Sequence, residues 1–185
     1  MELSREFFER CKKRGVGPTD FVLAVNVSTQ TAVLFEHRAA AGRAGAGDFR
    51  VARRLRCSTS RFGVGQEEGS NRTPLGLHRV GEKIGAGAPG GTVFRGRQAV
   101  GHVSQREFAD AKITTRILWL EGLEPGLNKG GTVDSHARYI YIHGTADQSS
   151  IGKAASSGCI HLADADLLPL FDLLPGGTLV WIEEK

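Results

Sequence analysis

The chain has 185 residues, 40% of them apolar, with 25 glycines and only 7% aromatics, which suits one domain with a sizeable core made of short strands and many turns rather than a helical bundle. A net charge of +4, without a basic face carrying a recognisable module or interleaved stacking aromatics, argues against a nucleic-acid partner, and no window is long and apolar enough for a membrane span. Three cysteines with no CxxC spacing suggest neither a disulfide framework nor a thiolate zinc site, and free thiols fit a reducing compartment.

Leu3, Phe7, Phe8 and Cys11 fall on one side of a helix, so residues 4–14 read as a short amphipathic helix within a charged segment, 1–15, that has no apolar leader. That segment predicts a cytosolic protein, or a periplasmic one if a leader has been removed. After Pro18 come two β-rich runs, Phe21 to Val27 and Thr31 to Glu36, at hairpin-like spacing, then a Gly/Ala-rich loop from Ala39 to Gly47. Arg50 to Cys57 alternates as a half-solvated strand that carries Arg50, Arg53, Arg54 and Arg56. Ser58 to Pro74 reads as a long loop bordering a cleft, and Leu75 to Ile84 as a strand.

Gly85 to Gly90 matches GxGxxG by letter, but the β-prone Thr92 to Phe94 follows where a dinucleotide site needs a helix, so no such cofactor is expected. Ile113 to Glu121 and Arg138 to His143 are further strand-like runs. Leu167, Leu168, Phe171 and Leu174 are helix-spaced, with Asp166 as N-cap and Pro169 in the first turn, and Thr178 to Glu183 closes the chain as a strand.

Alternation along Arg138 to His143 puts Tyr139, Tyr141 and His143 on one face and Ile140 and Ile142 on the other. Sixteen positions on, Ser156-Ser157-Gly158-Cys159-Ile160 places a cysteine in a small-residue turn that exposes its thiol. A neighbouring imidazole lowers a thiol pKa or removes its proton, so His143 and Cys159 make a sensible nucleophilic pair. The backbone N–H groups of Gly158 and Cys159 could form an oxyanion hole. The spacing also allows a zinc hydrolase using His143, Cys159 and His161. Cys11 and Cys57 read as core, and His37, His78, His102 and His136 as surface or loop histidines.

These segments together resemble the L,D-transpeptidase (YkuD-type) catalytic domain, whose signature is a His, a variable spacer, then Ser/Thr-His-Gly-Cys, a hydrophobic residue and Arg or Asn. The matching residues are Ile142-His143-Gly144-Thr145, Ile151-Gly152 and Ser156-Ser157-Gly158-Cys159-Ile160-His161-Leu162. Thr73-Pro74-Leu75-Gly76, Ile117-Leu118-Trp119-Leu120 with Gly122-Leu123-Glu124-Pro125, and Gly177 to Ile182 extend the likeness over roughly residues 20–184. The resemblance implies a mainly β fold, a sandwich or mixed sheet in a single domain with a short N-terminal helix and another near the C-terminus.

It further implies Cys159 as nucleophile, His143 as base and the Gly144 carbonyl as the group orienting that base, with Gly158, Ser157, His161 and Tyr141 as oxyanion or substrate-binding positions and no metal or cofactor. The implied substrates are peptidoglycan stem peptides, as tetrapeptides or free muropeptides, cleaved between diaminopimelate and terminal D-Ala. An amine acceptor gives a 3→3 crosslink and water gives a tripeptide.

The sequence departs from the pattern in two places, having Ser157 for the motif's second His and His161 for its Arg or Asn. His161 would be a weaker, pH-dependent substitute for a bidentate carboxylate clamp. Together with the cytosolic expectation, this favours water as acceptor and an L,D-carboxypeptidase of peptidoglycan recycling. A reading of another class is a binding module that has lost turnover and only holds wall peptides.

Overall fold

The computed structural model describes residues 2–17, 19–38 and 49–185. Pro18 and the expected loop at 39–47 lie outside them. Helix α1 (Arg5–Arg14) starts at Ser4, whose hydroxyl accepts the Phe7 N–H, and stops at Gly15 in the left-handed conformation that glycine adopts most readily. Ten strands follow: β1 (Phe21–Asn26), β2 (Thr31–His37), β3 (Phe49–Ser58), β4 (Gly76–Ile84), β5 (Thr92–Arg95), β6 (Gln98–His102), β7 (Thr114–Gly122), β8 (Tyr141–Gly144), β9 (Ile160–Leu162) and β10 (Leu179–Glu183), with α2 (Asp164–Leu173) before the last.

Their order is β4-β10-β1-β2-β3-β9-β8-β7-β5-β6, and β4 also pairs with β7. That extra pairing closes eight strands into a barrel-like sandwich and leaves β5 and β6 as a hairpin attached to β7. The mainly β fold with a helix near each end is the one the sequence implies.

The interior is filled by alternate residues such as Leu23, Val25, Leu118, Ile142, Ile160 and Val180, and α2 inserts Leu167, Leu170 and Phe171 among them. The opposite face of β1, β2, β4 and β10 is apolar as well, and α1 covers it with Phe7 and Cys11. Arg10 of that helix reaches the buried Glu124 carboxylate at 2.6 Å, which also accepts the Leu77 N–H.

Four expectations are corrected. The strand before His143 begins at Tyr141 rather than Arg138, because the Asp134 carboxylate accepts the N–H groups of His136 and Ala137 and folds that stretch into a turn, with Tyr139 at a φ of 56°. Helix α2 starts two residues before Asp166, its N-cap position being Ala163, so Pro169 lies inside the helix rather than in its first turn. Strands β6 and β9 have no counterpart in the sequence reading. His78 is fully buried on β4, its ring nitrogens meeting the Gly76 carbonyl at 3.0 Å and the Ser135 hydroxyl at 2.9 Å.

Candidate active site

Parallel pairing of β8 with β9 sets His143 opposite His161, and Cys159 immediately precedes β9. A cavity of about 290 Å³ lies against these strands, lined by His143, Cys159, His161 and Ser157, with Arg61 and Lys112 from neighbouring loops. The long loop after β3 thus borders the cleft.

The turn that carries Cys159 is gripped from both sides. Ser156 donates its hydroxyl to the Cys159 carbonyl at 2.6 Å and accepts the Gly158 N–H at 3.3 Å, while the Thr73 hydroxyl donates to the Gly158 carbonyl at 3.0 Å. Gly158 has a φ of +118°, a region closed to residues with a Cβ. The turn thus closes through the Gly158 N–H on Ser156. Sequence reasoning missed Ser156 and Thr73 as holders of the turn, since one is a neighbour and the other lies 85 residues away from Gly158.

The Cys159 sulfur accepts the Tyr141 N–H and directs its own S–H to the Tyr139 carbonyl, both at 3.4 Å. Tyr141 does not line the cavity. Its ring packs with Phe94, Ile117 and Trp119, and it reaches the thiol through its backbone. His143 is buried, and its Nδ1 lies 2.7 Å from the Gly144 carbonyl. A carbonyl can only accept, so Nδ1 carries the proton and Nε2 presents its lone pair. Gly144 is enclosed as tightly: a Cβ there would stand 2.6 Å from Asp164 Oδ1 and 2.8 Å from Thr114 Oγ1.

Burial pushes the Cys159 thiol up to about 11, against the Tyr141 N–H and the Arg138 charge, which favour the thiolate. Burial, then the neighbouring His161, holds His143 down at about 3, with the Gly144 carbonyl opposing. At rest the cavity wall carries a neutral thiol and a neutral imidazole.

His161 stands 4.6 Å from His143 between ring centres, and its Nδ1 is buried without a partner. Burial and the Lys112 charge, opposed by Asp147, lower it to about 4. Burial thus keeps it uncharged near neutrality, and the cations at the cavity are Arg61 and Lys112. Among the described residues no three His, Cys, Asp or Glu side chains are grouped to hold a metal ion, so His143, Cys159 and His161 do not form the zinc set that their spacing allowed. Cys11 and Cys57 are buried thiols raised by burial to about 11 and about 12.

Residues 20–182 match the YkuD family, described as the L,D-transpeptidase catalytic domain. A stretch of 41 residues is 54% identical to the Bacillus licheniformis protein YkuD, covering 22% of this chain and 25% of that one. Among solved structures, Bd1075 of Bdellovibrio bacteriovorus superposes over 100% of this chain and 50% of its own with a TM-score of 0.53 and 14% identity. The helical cell shape determining protein Pgp2 of Campylobacter jejuni gives 0.53 and 18% identity, over 89% of this chain and 48% of its own. The chain thus spans about half the length of these solved relatives, and the matched stretch a quarter of the curated one.

Proposed function

The chain belongs to the YkuD family of L,D-transpeptidase catalytic domains, and on that premise we propose that it is a cysteine acyl-transfer enzyme that cleaves the bond between diaminopimelate and the terminal D-Ala of peptidoglycan tetrapeptides, with water as acceptor. The observation that carries the reading is that Cys159 and His143 line one cavity, with the imidazole held by Gly144 in the tautomer that leaves Nε2 free to accept a proton.

As Sγ attacks the scissile carbonyl carbon, its proton passes to Nε2, and the carbonyl oxygen takes up the negative charge. Collapse of that intermediate breaks the C–N bond, and His143 returns the proton to the departing D-Ala amine, leaving a thioester on Cys159. Water then attacks the thioester, losing its proton to His143, and the tripeptide leaves as the sulfur regains a proton. The base must be neutral to start each half, and His143 is neutral through the physiological range. Water is favoured over a second stem because the cavity, at about 290 Å³, sits at the small end of ligand sites and His161 brings no charge to hold another peptide's carboxylate.

Mass analysis of products tests this. Mixing the protein with a diaminopimelate-containing tetrapeptide, with and without a second stem, is expected to give tripeptide and free D-Ala in both cases and neither with Cys159→Ala. A crosslinked dimer would assign the acceptor as an amine. No turnover by a folded protein would leave the binding module.

A further inference from the structure

Arg138 lies in the turn before β8, next to one group that meets Cys159, and its side chain holds the loop behind it. The next carbonyl along the chain, that of Tyr139, accepts the thiol proton at 3.4 Å. The guanidinium donates to the carbonyls of Gln66 at 2.7 Å and Arg72 at 2.8 Å, with longer contacts to Gly65 and Ser70. The loop so gathered ends in Thr73, the residue that grips the Gly158 carbonyl. A Cβ built on Gly158 would lie 3.4 Å from the Arg72 carbonyl oxygen, so the group Arg138 holds is itself packed on the nucleophile turn.

Arg138 makes no ion pair among the described residues; Glu67 and Glu68 are the acidic side chains near it. Its hydrogen-bond partners are neutral dipoles, so its charge, shared with Glu67 and Glu68, still reaches the sulfur. Other ionisable groups around the sulfur are Tyr139, Tyr141 and His143, with His161, Arg61, Lys112 and Asp147 around the cavity. The two histidines are neutral at pH 7, and Arg61, Lys112 and Asp147 are exposed, so solvent screens their charges.

We propose that Arg138 is a positioning residue for Cys159, locking the 65–73 loop behind the nucleophile turn and keeping there a positive charge that stabilises the thiolate as it forms. This rests on Cys159 being the nucleophile.

The test follows Cys159 alkylation by iodoacetamide, resolved by peptide mass, between about pH 6.5 and 9, where rate tracks thiolate fraction. It uses the full chain and the variants Arg138→Gln and Arg138→Lys, with folding checked by circular dichroism. Removing an opposite charge near a thiol raises its pKa by about one unit, so folded Arg138→Gln is expected to alkylate about tenfold more slowly at every pH in the range. Arg138→Lys keeps the charge but not the fork, and should alkylate within about threefold of the parent while turnover of the tetrapeptide falls about tenfold or more.

Alkylation of folded Arg138→Gln at the parental rate would overturn the proposal, and so would full turnover by Arg138→Lys, or loss of both readouts together in folded Arg138→Lys. Should Arg138→Gln not fold, Arg138→Lys decides by the same criteria. Alkylation needs no peptide, so a protein inactive on tetrapeptides fails the substrate assignment while leaving the charge test readable.

Discussion

His78 and His143 lie on the two strands that flank β7, both buried and both with one ring nitrogen against a backbone carbonyl, yet they serve opposite ends. The second nitrogen of His78 meets the Ser135 hydroxyl, and the network runs on through Glu124, Asn128 and Leu77 until its side-chain groups are paired. The second nitrogen of His143 makes no hydrogen bond among the described residues, and the ring beside it, His161, has an unpartnered Nδ1. A buried imidazole with both nitrogens engaged holds the barrel together, whereas one with a free lone pair on a cavity wall is available for proton transfer. The sulfur also lies on the cavity wall, and it sits after a glycine whose φ of +118° strains any residue with a side chain.

The contrast can be broken most sharply by exchanging roles. His143→Gln should lower tetrapeptide turnover by about 10²–10⁴-fold, the span of a lost general base, while moving the melting temperature by only a few degrees; a comparable loss from His78→Gln in a folded protein would erase the distinction.

Acid should act next most strongly, and on stability. His78, His143 and His161 bind protons less readily folded, near 4, 3 and 4, than unfolded, near 6.5. Their stabilising effect is complete above pH 6.5 and declines as pH falls toward the folded values, by about 1.4 kcal/mol per pH unit for each histidine. Urea midpoints measured from pH 7.5 to 4.5 should fall steadily below 6.5; a flat profile would show that these rings are not buried neutral.

His78→Ala leaves the Ser135 hydroxyl buried without its partner and opens a cavity, and should cost about 2–4 kcal/mol in denaturant unfolding with turnover per folded molecule unchanged. Gly144→Ala is the mixed case. Its Cβ would press on Asp164 and Thr114, costing about 1–3 kcal/mol, and would displace the carbonyl that sets the His143 tautomer, so kcat should fall with it while KM holds. Arg10→Ala separates stability from activity. It removes the cationic partner of the buried Glu124 carboxylate, which keeps the Leu77 N–H, and is expected to cost about 2–3 kcal/mol with activity intact.

Much of the barrel could be read from residue type, since β1, β2, β7 and β10 are runs rich in branched and aromatic residues. Strand β6 is largely exposed and carries no alternation, and β9 is three residues long with a histidine at its centre, too short to show a period. Tyr139 looks like strand by type, but Asp134, five residues before it, folds the stretch into a turn, local turn chemistry that outweighs propensity. His78 looked like a surface residue because the acceptors that bury it lie on another loop, 57 residues on at Ser135.

In the site, the motif singles out Cys159, His143 and Gly144, and the fold brings the first two to one cavity with the Gly144 carbonyl against the imidazole. The hold of Thr73 and Arg138 on the nucleophile turn arises only when the loop after β3 folds back on β9. No local spacing encodes that contact.

The central claim, that Cys159 forms a thioester with the substrate while His143 moves the proton, is tested most directly by intact-protein mass spectrometry on tetrapeptide mixtures quenched in acid during turnover. The account predicts a protein species heavier by the tripeptide acyl group, located at Cys159 by peptide mapping, that disappears on longer incubation and is missing from Cys159→Ala. Turnover by the parent with no such adduct, or turnover retained in Cys159→Ala, would contradict it.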